Sequence, residues 1–559
     1  MIKKRDIGNN IKEVVMHNLG MSDKEFETEF LVPKEEYNIS KIDDVATILK
    51  NAGNLGQKIT IVGDYDVDGI SASSILSLVF KKFGWNYSVR LPKRFSEGYG
   101  LSNDIIDEID SGVLITVDNG ITAIDAIKKA KDKGLIVIVT DHHLANADGI
   151  LPCADIVIDP NAIDNTADYK SYCGAGIAYK LATHMLDVND PLLPQLLSLA
   201  AVATVADVMP LTGENRFIVK NGLVNLLDKN KRTLGLGAVI NECKFGAYIS
   251  AKNIAFKVAP MLNAPGRLHD DGANFSLDLL TCNDSYAKAL SMAEELSEMN
   301  DTRKNLKSEG VEKLERNMEE NCLFCENPLV FYEPDLPEGL VGILAGQFAE
   351  KYRVPCFVLT DSEDKDILKG SGRSYGGINI KELLDKNADL IEKYGGHAEA
   401  AGISVRRDKF SEFKDALVCE LAGLEINMDD TVYYDLEIDA KDINNALNEL
   451  EKYAPFGEGN PEPIFLIKNF SVSGFRYMQE GMSVRLTGGT ANAVCFDMGK
   501  KYLEMGEPKV LNLVGTLARN SYLSNVTNQV EVMEILPKEN AKPASSMAEL
   551  LAKMARERR

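Results

Sequence analysis

Asp64, Asp66 and Asp68 fall within five residues, in Gly63-Asp-Tyr-Asp-Val-Asp-Gly69. Carboxylates this close repel one another and are costly to remove from water, and a bound cation relieves both penalties. Taken alone, the segment also fits a solvated acidic loop in which Asp68 caps the following helix. Three more polar clusters shift the balance: Asp118-Asn-Gly120, Asp141-His142-His143, and Asp207 at the end of the apolar run Ala203-Thr-Val-Ala-Asp207. An acid closing a core helix needs a partner. Together they offer four or five carboxylates, one or two imidazoles and no thiolate. That donor set suits Mn²⁺ or Mg²⁺ better than structural Zn²⁺. It exceeds what one ion takes from protein, so two divalent cations sharing a carboxylate are expected. Paired ions of this kind serve phosphoester hydrolysis.

Parallel strands are the elements that would bring these clusters together. Lys58–Gly63, Tyr87–Leu91, Val113–Val117, Leu135–Thr140 and Ile156–Ile158 are short β-branched runs separated by helical patterns such as Thr122–Lys133. Strands alternating with helices predict βαβ units and a buried parallel sheet. Three of the runs end in the acidic or histidine clusters. Ligands bind beyond the carboxyl ends of such strands, so the clusters should gather at one sheet edge.

The remaining chain divides into further modules. Gly174–Leu280 is helical, and Ser285–Asn321, rich in Glu, Lys, Leu and Met, predicts one long polar helix bridging two domains. A second α/β pattern starts at Pro328, with strands at Leu329–Tyr332 and Cys356–Thr360. From Asp430, Val432, Tyr434, Leu436 and Ile438 alternate with polar residues as in one half-buried strand. Runs at Ile464–Val472, Ser483–Leu486, Ala493–Phe496 and Val510–Leu517 then suggest a small OB-type barrel. The tail after Pro537 reads as a linker and a short amphipathic helix, Met547–Arg558. The domain boundaries are therefore 1–40 for an N-terminal segment, 41–284 for a parallel-sheet domain, 285–325 for the bridging helix, 326–425 for a smaller α/β domain, 430–537 for the barrel and 538–559 for the tail.

Composition bounds the function class. The 559 residues, 45% hydrophobic and 26% charged, describe a folded multidomain protein. No run of about 18 apolar residues predicts a membrane span. Nine scattered cysteines fit reduced thiols in a cytoplasm. Cys322 and Cys325 form a lone C-x-x-C, read as coincidence. A net charge of −22 argues mildly against nucleic acid, unless cations concentrate locally.

The four clusters resemble the motifs of the DHH phosphoesterase superfamily. The resemblance implies that Asp66, Asp68, Asp118, His142 and Asp207 bind the metals, with Asp118 bridging and Asp64 an additional ligand, and that His143 contacts the scissile phosphate. Some relatives carry histidine where this chain has Val62, a gap that Asp64 is available to fill. Gly370-Ser-Gly-Arg-Ser374 and Gly395-Gly-His-Ala-Glu-Ala-Ala-Gly402 resemble the superfamily's substrate-binding domain. Glycines there would let backbone N–H groups approach a phosphate, and Arg373 supplies a fork of donors. The implied substrate contacts are Ser371, Gly372, Arg373, Ser374, Gly395, Gly396 and His397, with His143, Arg373 and His397 stabilising charge in the reaction. Pro337 stands where relatives often have histidine, leaving contacts from its loop open. Leu91–Leu101, Leu262-Asn-Ala-Pro-Gly-Arg-Leu268 and Pro455–Pro463 are similar to segments of the RecJ-type exonucleases, which makes Arg94 and Arg267 candidates for the 5′ end of a strand. This resemblance implies 5′-to-3′ hydrolysis of single-stranded DNA to mononucleotides, in repair and recombination. It also implies a cytoplasmic monomer whose further partners are a helicase or a single-strand-binding protein. The rival readings are a phosphodiesterase for short oligonucleotides or cyclic dinucleotides, and a non-catalytic replication scaffold.

Overall fold

The computed structural model describes residues 1–34, 38–146, 149–162, 165–422, 431–523 and 525–538. The five apolar runs form a parallel sheet in the order Tyr87–Arg90, Ile59–Val62, Val113–Val117, Ile136–Thr140, Ile156–Ile158. Ile59–Val62 and Val113–Val117 are buried at every position, as strands covered on both faces must be. One face packs on a core built from Ile42–Asn54, Val67–Phe83, Gly174–Met185, Leu193–Ala206 and later helices up to Leu296, the other on Ile105, Ile106, Ile127 and their neighbours. Chain order reverses on either side of Ile59–Val62. This is the switch point at which a crevice opens beyond the strand ends.

Tyr286–Glu320 is a single 35-residue helix, about 50 Å long at 1.5 Å per residue. Ala289, Ala293 and Leu296 sit in the first core, and Leu314 and Met318 in the second. The helix thus fixes one module against the other. The second module is a mixed sheet ordered Lys393–Gly396, Ala400–Arg406, Ile367–Arg373, Cys356–Asp361, Leu329–Tyr332. The barrel comprises Phe465–Met478, Ser483–Gly488, Asn492–Cys495, Asn525–Pro537 and Val510–Tyr522, closed by the pairing of its first and last members.

Several expectations are corrected. Val432–Ile438 is not one strand. It breaks at buried Asp435, which pairs with Arg5 at 2.6 Å and accepts the Ile464 N–H. Val432–Tyr434 pairs instead with Ile2–Lys4, and Leu436–Asp439 with Phe465–Lys468. The N-terminal residues, which carry no recognisable motif, contribute Ile11, Val14, Val15, Phe26 and Phe30 to the barrel's core. The strand Asn525–Pro537 was not foreseen, because its first half is polar. The helix expected at Met547–Arg558 lies outside the described residues.

Candidate metal centre and substrate cleft

Asp66 caps the helix Val67–Phe83, accepting the N–H groups of Asp68 and Gly69. The cap is therefore Asp66 and not Asp68. Asp68 turns inward, where the N-terminus of the helix Gly174–Met185 donates to it from Gly174 (2.6 Å) and Ala175 (2.8 Å). Positive helix-end charge and two direct donors hold this carboxylate in place. Asp118 follows Val117 directly and takes a left-handed backbone conformation, φ 63°. It lies so close to the Gly174 backbone that a Cβ there would sit 2.5 Å from the Asp118 Cβ, so this approach requires glycine.

Three carboxylate and imidazole groupings place their ligand atoms within 4.8 Å of one another: Asp64–Asp66–Asp118, Asp68–His142–Asp207, and Asp118–His142–His143. His142 Nε2 lies 3.1 Å from Asp118, 3.6 Å from Asp207 and 3.7 Å from Asp68. Asp118 and His142 thus link the two acid-rich groupings, an arrangement that fits a pair of cations. All six residues read as metal ligands converge. Val62 is fully buried in the core, and its carbonyl accepts from the Asn119 side chain. Asp64 lies beyond it among the donors.

The electrostatics of this cluster call for positive charge. Burial, then repulsion from Asp66, raises Asp64 well above the usual carboxylate range. Burial, then Asp68, does the same to Asp118 and lifts Asp207 to about 8. Burial likewise lowers His142, which favours the neutral, ligating form. His143 behaves differently. Burial opposes its charge, but the 2.8 Å hydrogen bond to Asp141 and the neighbouring acids raise it to about 9.

Sequence reasoning missed several supporting groups. Asp141 accepts the backbone N–H groups of Ile121, His142 and His143, fixing the histidine pair. The Tyr99 hydroxyl donates to the Asp118 carbonyl at 2.8 Å and lies 3.1 Å from His143 Nδ1. Its signal was present in the Leu91–Leu101 segment, where only Arg94 was singled out.

Beside the acids lies an open cleft of roughly 580 Å³ between the first two modules. Arg94, Arg267, Ser371, Arg373 and Gly395 line it, together with Tyr65, Tyr99 and Lys369. Gly372, Ser374, Gly396 and His397 are not in that lining. Arg94 rests over the Tyr65 ring, 4.3 Å from its centroid. Arg267 donates to the Gly339 carbonyl, and Arg373 to Ser371 and the Gly372 carbonyl. Among the described residues none of these three arginines has a carboxylate partner. Burial, then repulsion from Arg94, Arg303 and Arg373, lowers Arg267 to about 9. Of the two acids in the cleft lining, Glu97 pairs with Arg90 and Glu338 with Lys369, which leaves the three arginines for an anionic ligand.

The expected approach of backbone N–H groups to a phosphate at Gly370–Ser374 is corrected. Gly370–Arg373 form part of a central strand, paired with Ala400–Ile403 on one side and Cys356–Leu359 on the other. Its backbone is occupied by the sheet. Gly372 instead makes room for Phe357, whose ring would lie 2.5 Å from a Cβ. Phosphate contact from this segment falls to the Ser371 and Arg373 side chains.

A parallel sheet with an acidic switch-point centre, beside an arginine-lined cleft shared with a second module, defines a DHH-type phosphoesterase. Comparison with known proteins agrees module by module. Residues 58–204 match the DHH family N-terminal domain, 326–422 the DHHA1 domain and 434–534 the RecJ OB domain. The chain is 34% identical over 459 residues to the single-stranded-DNA-specific exonuclease RecJ of Salmonella typhimurium, covering 76% of this chain and 78% of that one. The Escherichia coli protein of the same name is 33% identical over 460 residues, with 76% and 78% covered. The crystal structure of Thermus thermophilus RecJ in complex with Mn²⁺ superposes with a TM-score of 0.75 at 26% identity, covering 97% of this chain and 79% of that one. The chain belongs to the RecJ family of single-stranded-DNA-specific exonucleases.

Proposed function

We propose that the protein is a metal-dependent exonuclease that hydrolyses single-stranded DNA from the 5′ end to mononucleotides, in DNA repair and recombination. The observation that carries this reading is the pairing of two linked donor groupings with a cleft whose three arginines have no carboxylate partner among the described residues. Asp64, Asp66 and Asp118 would hold one divalent cation, and Asp68, His142 and Asp207 the other, with Asp118 shared. Mn²⁺ or Mg²⁺ bound there supplies Lewis-acid activation of water and of the scissile phosphate.

The chain's own residues do the rest. His143, held in place by its 2.8 Å hydrogen bond to Asp141, donates to the phosphate as negative charge develops. Arg373 adds a charged donor from the opposite wall; His397, on the exposed hairpin outside the cleft lining, would have to move to join it. Ser371 fixes the Arg373 guanidinium at 2.6 Å. Arg94 and Arg267 receive the 5′ end. Exposed Phe475 and Phe496 offer the trailing strand stacking surfaces on the barrel. The barrel argues against a phosphodiesterase for dinucleotides, and the intact donor set against a non-catalytic scaffold. We further propose a cytoplasmic monomer that takes its substrate from a helicase or a single-strand-binding protein. In support, the nine cysteines are free thiols, and no helix among the described residues is long and apolar enough to cross a membrane.

The test is digestion of a long 5′-phosphorylated single strand, its duplex form and a dinucleotide, with Mn²⁺, Mg²⁺ or chelator. Metal-dependent release of mononucleotides from the single strand alone is expected. Preference for the dinucleotide would overturn the reading.

A further inference from the structure

Arg94 sits on a loop with little regular structure of its own. Gly98 and Gly100 follow it with φ of 84° and 68°. A long cation on such a loop samples many positions unless something orders the backbone beneath it, and that ordering entropy subtracts from binding. Asp270 provides the order. One carboxylate oxygen accepts the N–H groups of Phe95 (2.7 Å) and Ser96 (3.1 Å), and the other the Ser96 hydroxyl (2.6 Å). The Asp270 carbonyl accepts the N–H of Arg94 itself at 2.9 Å. Three consecutive residues, 94 to 96, are thus tied to a single aspartate.

Two further contacts give the clamp its direction. Asp270 lies three residues after Arg267, so the segment that carries one cleft arginine also holds the loop that carries the other. From the opposite wall, Lys369 donates to the Phe95 carbonyl at 2.9 Å and lies 3.1 Å from Glu338. The Phe95 peptide groups are therefore gripped from both modules.

We infer that Asp270 is a positioning residue for the cleft: by clamping residues 94–96 it sets Arg94 beside Arg267 as a pair that reads the terminal phosphate of the strand. This rests on the reading that Arg94 receives the 5′ end. Asp270 touches no substrate, so its loss weakens capture of the end and leaves the hydrolytic step intact.

The experiment compares kcat and KM on matched single strands bearing a 5′-phosphate or a 5′-hydroxyl, with Mn²⁺, for wild type, Arg94→Ala, Asp270→Ala and the double variant. Asp270→Ala is expected to raise KM for the phosphorylated strand about 10-fold, as loss of charge-assisted hydrogen bonds does. Its kcat should stay near wild type, and the preference for the phosphate should disappear. The double variant should be no worse than Arg94→Ala, because the two act through one contact. Asp270→Asn, which keeps an acceptor for the Phe95 N–H, should recover part of the preference and covers the case of a poorly folded alanine variant. Loss of preference in Arg94→Ala, with a wild-type ratio in both Asp270 variants, overturns the inference. A wild-type ratio in Arg94→Ala overturns the reading of Arg94 itself, and the inference with it.

Discussion

Asp118 sits where a strained backbone, φ 63°, meets a carboxyl group that burial and four neighbouring acids hold far from its preferred ionisation. Such a residue is costly to the fold and is expected to be functional. Asp118→Asn should lower nuclease activity by at least about 10³-fold. It should also leave the chelated protein's unfolding midpoint unchanged or higher, since a repulsive charge is gone. A clear drop in that midpoint would mean that Asp118 is structural. Tyr99→Phe removes the donor to the Asp118 carbonyl and the contact with His143 and should cost activity about 10-fold or more, as loss of a supporting group beside a metal ligand does. The centre also fixes how stability responds to pH. Asp64, Asp66, Asp118 and Asp207 bind protons more tightly folded than unfolded, so the stability they contribute is complete below the ordinary value of 3.8. It is lost as pH rises, through about 8 for Asp207. The raised pKa of His143 acts in the same sense, and the lowered one of His142 against it. The chelated protein should therefore melt at a lower temperature at pH 8 than at pH 6, and Mn²⁺ should restore more at pH 8. An equal response to Mn²⁺ at both values would count against a repulsive acidic centre.

At the scale of elements, the strands that carry the centre were legible because β-branched runs buried on both faces leave no alternative. Val113–Val117 and Ile156–Ile158 fall where the sequence puts them. So does the long helix, whose proline-free polar run has no competing signal. Contacts between elements were not legible. Nothing in the residues around Gly174 announces that its helix end would bind Asp68, and a glycine-rich segment such as Gly370–Ser374 reads as open backbone for a phosphate until its two neighbouring strands are known. All six proposed ligands lie in motifs whose family resemblance named them, whereas Tyr99 acts through tertiary hydrogen bonds and Asp141 through its neighbours' N–H groups and the distant Ile121 N–H. Gly174→Ala tests the packing directly. Alanine favours helix over glycine, but here its methyl would displace Asp118, and a shift of about 1 Å at such a site costs on the order of 100-fold in rate. Unchanged activity would show that the close approach is not needed.

Across the whole molecule, the N-terminal residues pack on the barrel that the last described strand, Asn525–Pro537, completes, and the barrel docks back on the parallel-sheet module through buried Arg216. This guanidinium donates to the Phe30 carbonyl at 2.8 Å, lies 3.7 Å from the Phe30 ring centroid and reaches the Pro455 carbonyl. Burial lowers its pKa to about 10. Arg216→Ala would strand the Phe30 carbonyl and open a cavity, and a loss of about 2 kcal/mol in urea unfolding is expected. No loss would mean that the N-terminal residues are held by the Ile2–Lys4 strand pairing, the Arg5–Asp435 ion pair and apolar packing without help from Arg216. The charge distribution shows the same economy. A chain of net charge −22 still presents Arg94, Arg267 and Arg373 in one cleft, so overall acidity and a site for a polyanion coexist.

The central claim is that acids from distant strand ends share a pair of divalent cations. Equilibrium dialysis of Mn²⁺ against wild type and Asp118→Ala, read beside activity on the same samples, addresses it most directly. Two ions per wild-type chain, with one or none and no nuclease activity in the variant, is the predicted result. Full activity at one ion per chain, or an Asp118→Ala protein that still binds two and cleaves, would contradict it.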